Sequence, residues 1–352
     1  MTDPLITTII PTYLRPRLLQ RAIKSVLAQT YPHFQVCVYD DASGDETATV
    51  VRALAKADPR VKYHCHPEHI GLARNFLYGQ ERVEPPFFSF LSNDDVLLPD
   101  FYQNALEGFQ RFPEAAFSAL GVVMMEVRDG LGVVASEAWP EGLSRPPDAL
   151  RNMLTMYPLL WTAILFRKEL IEEVGLLDTE IFPSFDDDYQ LRVVAHHPIV
   201  FSRRPGALME IHPGAAHLRC RLDDIWPGQM KLIRNTVDDA KLDPELRKLA
   251  SQVLVSWIKR RLFLDCGLRA IIEARGDEAR RSAEILSREF GEVGRARLLR
   301  CIDGILRIFP PLRQVSSMAR RLRRRWLKSR WKPAIQRQVQ CFRDYEGYLN
   351  SG

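Results

Sequence analysis

The chain has little that would anchor it in a membrane or staple it together. Its 352 residues hold no run of about 18 apolar residues, the length a membrane-crossing helix needs. The longest uncharged stretch, 152–166, is shorter and contains Pro158. No basic-then-apolar leader precedes the first apolar run, so the expectation is a cytoplasmic protein rather than a secreted one. The six cysteines (Cys37, Cys65, Cys220, Cys266, Cys301 and Cys341) form no Cys-x-x-Cys pair and no tight cluster with histidine. That argues against a disulfide framework or a structural zinc site and suits a reducing compartment. Glycine-rich signatures are missing too. No Gly-x-Gly-x-x-Gly follows the first apolar run, and there is neither a phosphate-binding Gly-x-x-x-x-Gly-Lys nor a Gly-x-Ser-x-Gly elbow. Dinucleotide-binding, P-loop and serine-hydrolase readings therefore lose their main support.

What is present is an ordinary globular composition, 46% hydrophobic and 26% charged, with an uneven distribution of charge. Residues 1–222 carry 21 Lys/Arg against 28 Asp/Glu, a balance of −7; residues 223–352 carry 28 against 16, a balance of +12. The chain divides near residue 222 into an acidic front part and a basic back part. The expected organisation is a domain over 1–222, with halves 1–110 and 111–222, then a helical domain over 223–310 and a basic tail over 311–352.

The front part alternates short apolar runs with helical periodicity. Leu5 to Pro11, Phe34 to Tyr39, Val61 to Cys65 and Pro86 to Leu91 read as strands. Leu18, Leu19, Ala22, Ile23, Val26 and Leu27 recur at helical spacing, and a second helix spans Glu46 to Ala57. This order predicts an α/β fold with a mostly parallel sheet covered by helices. Ligands of such sheets sit outside the carboxyl ends of the strands. Three polar clusters fall there: Pro11-Thr12-Tyr13, Asp40-Asp41 and Asp94-Asp95.

The carboxylates point to chemistry. Asp94 and Asp95 close an apolar strand, where two adjacent carboxylates repel one another unless a cation lies beside them. Mn²⁺ or Mg²⁺ takes oxygen ligands and commonly uses one or two carboxylates together with substrate phosphates. A turn or helix-capping role is the plainer alternative. Asp186, Asp187 and Asp188 open a further helix, where the helix dipole favours acids. A carboxylate at the mouth of the sheet also suits a general base for an incoming hydroxyl. His212, in Ile211-His212-Pro213-Gly214, is a lone histidine of the kind that is more often structural than a ligand.

Taken in order, these segments resemble family-2 glycosyltransferases of the GT-A fold. The resemblance rests on Ile9-Ile10-Pro11-Thr12-Tyr13, Ser25 to Tyr31, Val38-Tyr39-Asp40-Asp41-Ala42-Ser43, Gly71 to Asn75, Leu91-Ser92-Asn93-Asp94-Asp95, Val174-Gly175, Asp187 to Leu191 and Ile211 to Gly214. It covers about residues 5–220. It implies an inverting transfer of a sugar from a nucleotide diphosphate donor to an acceptor hydroxyl. By position, Pro11, Thr12 and Tyr13 would border the nucleoside. Asp41 would accept from the ring N–H of uracil or thymine, with Asp40 beside it, and Arg74 would approach the base or diphosphate. Asp95 would bind the metal, Asp94 would lie near the ribose or sugar, and His212 would complete the metal site. Asp188 would be the base, with Asp187 as its rival. Three departures stand out: Ser92 replaces the first carboxylate of a common Asp-Ala-Asp-Asp, the usual Glu-Asp is Asp187-Asp188, and His69-Ile70 replaces a common Asn before the Gly-Leu-Ala segment.

The back part has helical stripes, notably Leu246, Leu249, Val253, Leu254, Trp257, Ile258 and Leu262. Residues 312–337 hold ten Lys/Arg and no acid, with an apolar line of Leu312, Val315, Met318, Leu322 and Trp326. Such a segment fits an anionic membrane surface, on the inner face of the cell membrane, or packs on the rest of the protein. Nucleic-acid binding is disfavoured because no binding motif accompanies the charge. The expected partners are a nucleotide-sugar donor and a saccharide or lipid-linked saccharide acceptor, in the synthesis of a surface polysaccharide or glycolipid. A nucleotidyltransferase on a similar sheet and a non-catalytic scaffold are the alternatives.

Overall fold

The computed structural model describes residues 5–84, 86–126, 131–135, 138–156, 158–211 and 221–311. They fall into two compact units, 5–211 and 221–311. The front unit runs β1 (Ile6–Thr12), α1 (Pro16–Leu27), β2 (Phe34–Asp40), α2 (Thr47–Ala57), β3 (Val61–Cys65), α3 (Leu72–Gln80), β4 (Phe87–Phe90), β5 (Val96–Leu97) and α4 (Phe101–Arg111). It continues through β6 (Phe117–Glu126), β7 (Leu131–Ala135), β8 (Gly142–Ser144), α5 (Asp148–Thr155), β9 (Ile164–Arg167), α6 (Leu170–Glu173), α7 (Phe185–His196) and β10 (Ile199–Ile211).

β1 is β-branched at nearly every position and buried along its whole length, as befits a strand covered on both faces. It lies between β2 and β4 and pairs parallel with each, and β3 extends the parallel set beyond β2. The connecting helices make this possible, since parallel neighbours need a long crossover. The rest of the sheet is mixed. The order is β3-β2-β1-β4-β9-β6-β10-β5, with β7 on β6 and β8 on β10. β9 runs antiparallel to both β4 and β6, and β6 and β10 pair parallel through register shifts around Pro205.

Helix packing explains several polar residues of the sequence motifs. α1 buries Leu19, Ala22, Ile23 and Val26 against the sheet. Ser25 accepts from the N–H of Leu97 at 3.1 Å, and the Gln29 amide donates to the Leu98 carbonyl at 2.6 Å. Gln29 also accepts from the N–H of Tyr102 at 3.1 Å. These bonds fix the chain just after the Asp94-Asp95 turn. α3 sits close enough to the sheet that a Cβ on Gly79 would lie 2.5 Å from Ile9 and 2.8 Å from Tyr39. Inside the sheet, Thr8 Oγ1 lies 2.7 Å from Ser89 Oγ and is also hydrogen-bonded to the Tyr102 hydroxyl. All three residues are fully buried. An aromatic cluster joins α3, β4, the turn at 161–163 and α7, with ring centroids 4.6 Å apart for Phe76 and Trp161, 4.6 Å for Phe90 and Trp161, and 5.4 Å for Trp161 and Phe185.

The back unit contains α8 (Leu222–Val237), α9 (Pro244–Arg261), α10 (Arg269–Ile272), α11 (Gly276–Arg288) and α12 (Val293–Ile308), with no strand among its described residues. Asp243 caps α9 by accepting from the N–H of Glu245 at 2.7 Å, and Pro244 takes the first helical position. α9 buries Leu246, Ala250, Leu254 and Ile258, whereas Trp257, expected on that stripe, is partly exposed. A π-helical stretch over 262–268 carries α9 into α10. Within it, a Cβ on Gly267 would meet Leu299 of α12 at 2.6 Å. α12 turns Ala296, Leu299 and Leu306 inward and leaves Leu298, Ile305, Ile308 and Phe309 exposed. The basic segment 312–337 lies outside the described residues.

Candidate active site

The polar strand ends meet at the carboxyl edge of the parallel strands. At the end of β1, Pro11 and Thr12 are buried while Tyr13 is exposed. Leu14 and Arg15 both take the left-handed backbone region, with φ of 52° and 91°, a conformation that costs non-glycine residues about 1–3 kcal/mol each. The Leu14 N–H donates to Ser43 Oγ at 2.8 Å. The Asn93 amide donates to Thr12 Oγ1 at 2.9 Å, tying the ends of β1 and β4 together.

Asp40 and Asp41 lie at the end of β2, both buried. Asp40 accepts from the N–H of Ser43 at 3.0 Å, its hydroxyl at 2.5 Å and the Tyr63 hydroxyl at 2.7 Å. Burial and the Asp40 carboxylate push the Tyr63 phenol up, so it stays a donor. Asp41 accepts from the N–H of Ile70 at 2.6 Å and of Gly71 at 2.9 Å, and pairs with His69 Nδ1 at 2.9 Å. Gly71, at φ 89°, makes that turn. Both aspartates thus shape the loops around the site. Arg74 is exposed in the first turn of α3.

The Asp94-Asp95 turn carries the strongest electrostatics. Asp95 is buried, accepts from Thr162 Oγ1 at 2.8 Å, and receives the backbone N–H of Glu210. Burial, with Asp94 next to it, pushes its carboxyl up to about 8. Asp94 pairs with Arg15 at 2.7 Å. Its carbonyl accepts from Arg21 at 2.6 Å, and the same guanidinium nitrogen reaches Glu210 at 2.8 Å. No three His, Cys, Asp or Glu side chains converge as a closed metal cage among the described residues. An open site of one or two hard carboxylate oxygens is nonetheless what Mn²⁺ or Mg²⁺ uses when substrate phosphates supply other ligands. His212 lies outside the described residues.

α7 presents the second acidic cluster. Asp188 is fully buried and accepts from Arg192 Nε at 2.8 Å, one helical turn on. The two terminal nitrogens of Arg192 donate to the carbonyls of Val174 and Leu176 at 2.8 and 2.9 Å. Asp188 is thereby built into the joint between α7 and the Val174-Gly175 turn, while Asp186 and Asp187 are half-buried. Trp161 links the two acidic turns: its ring packs on Phe185, and its chain neighbour Thr162 holds Asp95.

Several of these residues carried no sequence signal. Thr162 and Glu210 reach Asp95 only through the sheet order, and Arg15 and Arg21 reach Asp94 because α1 packs beside β5, which follows the turn. The Asp188–Arg192 pair was readable from its i,i+4 spacing.

A model of glycosyl transferase family 2 matches residues 7–175. The chain is 36% identical over 111 residues to the GalNAc(5)-diNAcBac-PP-undecaprenol beta-1,3-glucosyltransferase of Campylobacter jejuni, covering 30% of this chain and 36% of that one. It is 30% identical over 151 residues to the putative teichuronic acid biosynthesis glycosyltransferase TuaG of Bacillus subtilis, covering 43% and 59%. The matches thus span between about a third and three fifths of these relatives' length. Among solved structures, S. aureus TarS with UDP-GlcNAc superposes with a TM-score of 0.61 at 17% identity, over 85% of this chain and 88% of that one. A mannosyltransferase from Pyrobaculum calidifontis with GDP-Man and Mn²⁺ gives 0.51 at 17% identity, over 94% and 88%. These likenesses show the fold, and the match over 7–175 makes the front unit of this chain similar to glycosyl transferase family 2.

Proposed function

We propose that this protein is an inverting glycosyltransferase that moves a sugar from a nucleotide diphosphate donor, UDP or dTDP favoured, to an acceptor hydroxyl. The observation that carries this reading is the Asp94-Asp95 turn, set at the carboxyl edge of the parallel strands beside Arg15 and Arg21. Asp95 and Asp94 would hold Mn²⁺ or Mg²⁺ there, with His212 as a further ligand, and a metal so placed neutralises charge on the departing diphosphate. Tyr13, Thr12 and Pro11 would border the nucleoside, and Arg74, exposed in the first turn of α3, would approach the base or diphosphate.

The proton of the acceptor hydroxyl goes to the acidic turn of α7. Asp187 suits that role better than Asp188, because a base must touch the acceptor and Asp188 is enclosed against Arg192. Asp188 then positions the turn. Calorimetric titration of UDP, dTDP and GDP, each with and without Mn²⁺, tests the donor site: metal-dependent binding of one of them is expected, and none binding would overturn the reading.

The acceptor side follows from two supports. The Campylobacter and Bacillus relatives are named for an undecaprenol-linked saccharide and for teichuronic acid biosynthesis, which favours a saccharide or lipid-linked saccharide in cell-surface synthesis. The exposed apolar residues of α12, flanked by Arg295, Arg297, Arg300 and Arg307, lead into the basic segment 312–337. An anionic bilayer surface fits that charge and apolarity. Sedimentation with phosphatidylglycerol vesicles should weaken on deletion of 312–352, and equal binding would remove the membrane from the proposal.

A further inference from the structure

We propose that His69, not Asp41, reads the nucleobase of the donor; this rests on the glycosyltransferase reading above and sharpens it. Asp41 is spent elsewhere. One of its oxygens accepts from Ile70 N–H at 2.6 Å; the other accepts from Gly71 N–H at 2.9 Å and faces His69 Nδ1 at 2.9 Å. With the Asp41 side chain 1% exposed, a base edge reaches it only by taking the 69–71 turn apart. The side chain of His69 is 54% exposed, and its ring centroid lies 4.2 Å from that of Tyr13, which is itself 44% exposed.

The Asp41 contact fixes what this imidazole offers. A carboxylate accepts, so Nδ1 carries a proton, and the tautomer that this contact selects presents a lone pair on Nε2. Nε2 has no hydrogen-bond partner among the described residues. An acceptor beside an exposed aromatic ring selects a flat base that presents a ring N–H. Uracil and thymine do so at N3 and guanine at N1, whereas cytosine and adenine present a lone pair at the matching position and are repelled. Asp41 acts through His69 by holding its tautomer and orientation, much as an outer carboxylate orients a metal-bound imidazole.

Calorimetry on the full chain with UDP and CDP tests this, using wild type, His69→Phe and His69→Gln. The wild type should prefer UDP by about tenfold. His69→Phe keeps a ring against Tyr13 but has no acceptor. It should weaken UDP binding about five- to tenfold, leave CDP unchanged and erase the preference. His69→Gln, whose carbonyl can accept, should restore part of it. If the wild type prefers guanine, GDP and ADP take the places of UDP and CDP. A His69→Phe protein with an unchanged preference overturns the inference and returns base reading to Asp41. A wild type that binds no nucleotide overturns the parent reading instead, so the two failures are told apart before any variant is made.

Discussion

The two units use charge in opposite ways. In the front unit four acids of the site are buried, and each is met by specific donors: Asp40 by Ser43 and Tyr63, Asp41 by the 69–71 turn, Asp95 by Thr162, Asp188 by Arg192. In the back unit several ion pairs join residues one turn apart on a helix, such as Arg288 with Glu284 and Arg269 with Glu273, although Asp303 is buried between Arg280 and Arg307. Exposed pairs of that kind contribute about 0.3–0.5 kcal/mol each, while losing one partner of a buried pair costs several times more. Charge in the front unit builds a site; in the back unit it solvates helices and sets a surface.

Four substitutions would break or sharpen this contrast. The largest effect is expected at Asp187→Asn, which should bind UDP normally yet lose about 10²–10⁴-fold in transfer rate. Normal turnover there would move the base to Asp188 or Asp186. Next comes Arg192→Ala, which strands the buried Asp188 carboxylate and frees two carbonyls. Denaturant unfolding should show a loss of about 3 kcal/mol. A loss below about 1 kcal/mol would mean that water reaches Asp188 readily. Gly79→Ala must push Ile9 or Tyr39 aside and should cost about 1–3 kcal/mol by the same measurement. Smallest is Glu284→Ala on the exposed face of α11, expected to stay within about 0.5 kcal/mol of wild type.

The parallel half of the sheet was legible in the sequence because β1, β2, β3 and β4 are short β-branched or aromatic runs closed by Pro, Asp or Ser. The antiparallel half was not. β6 is buried and apolar without alternation, and β9 is four residues long. β10 extends through Pro205 by slipping its register, so no continuous apolar run marks its full length. Pairing over such distances depends on the whole core rather than on any window of sequence. The same holds for the site. Adjacent aspartates announce themselves, but whether they face a ligand or their own loop is decided by neighbours far along the chain. Asp188 illustrates this, since the motif nominates it and the fold encloses it. His69 is the converse: a departure from the family pattern became informative once its partner was seen.

The buried hydroxyls of Thr8, Ser89 and Tyr102 bear on how β4 finds its place. Its sequence, Phe-Phe-Ser-Phe, is apolar on both faces, so the usual penalty for exposing the wrong side says little about where it should stop. A slide of two residues along β1 would keep every side chain on its proper face and still bury the phenyl rings. It would also set a phenylalanine or a leucine opposite Thr8 and strand the Ser89 hydroxyl in the dry interior, at about 1–3 kcal/mol, while Thr8 and Tyr102 kept only each other. The Ser89 hydroxyl thus acts as a stop, halting the strand one notch short of misthreading and delivering Asp94 and Asp95 to the correct height above the sheet.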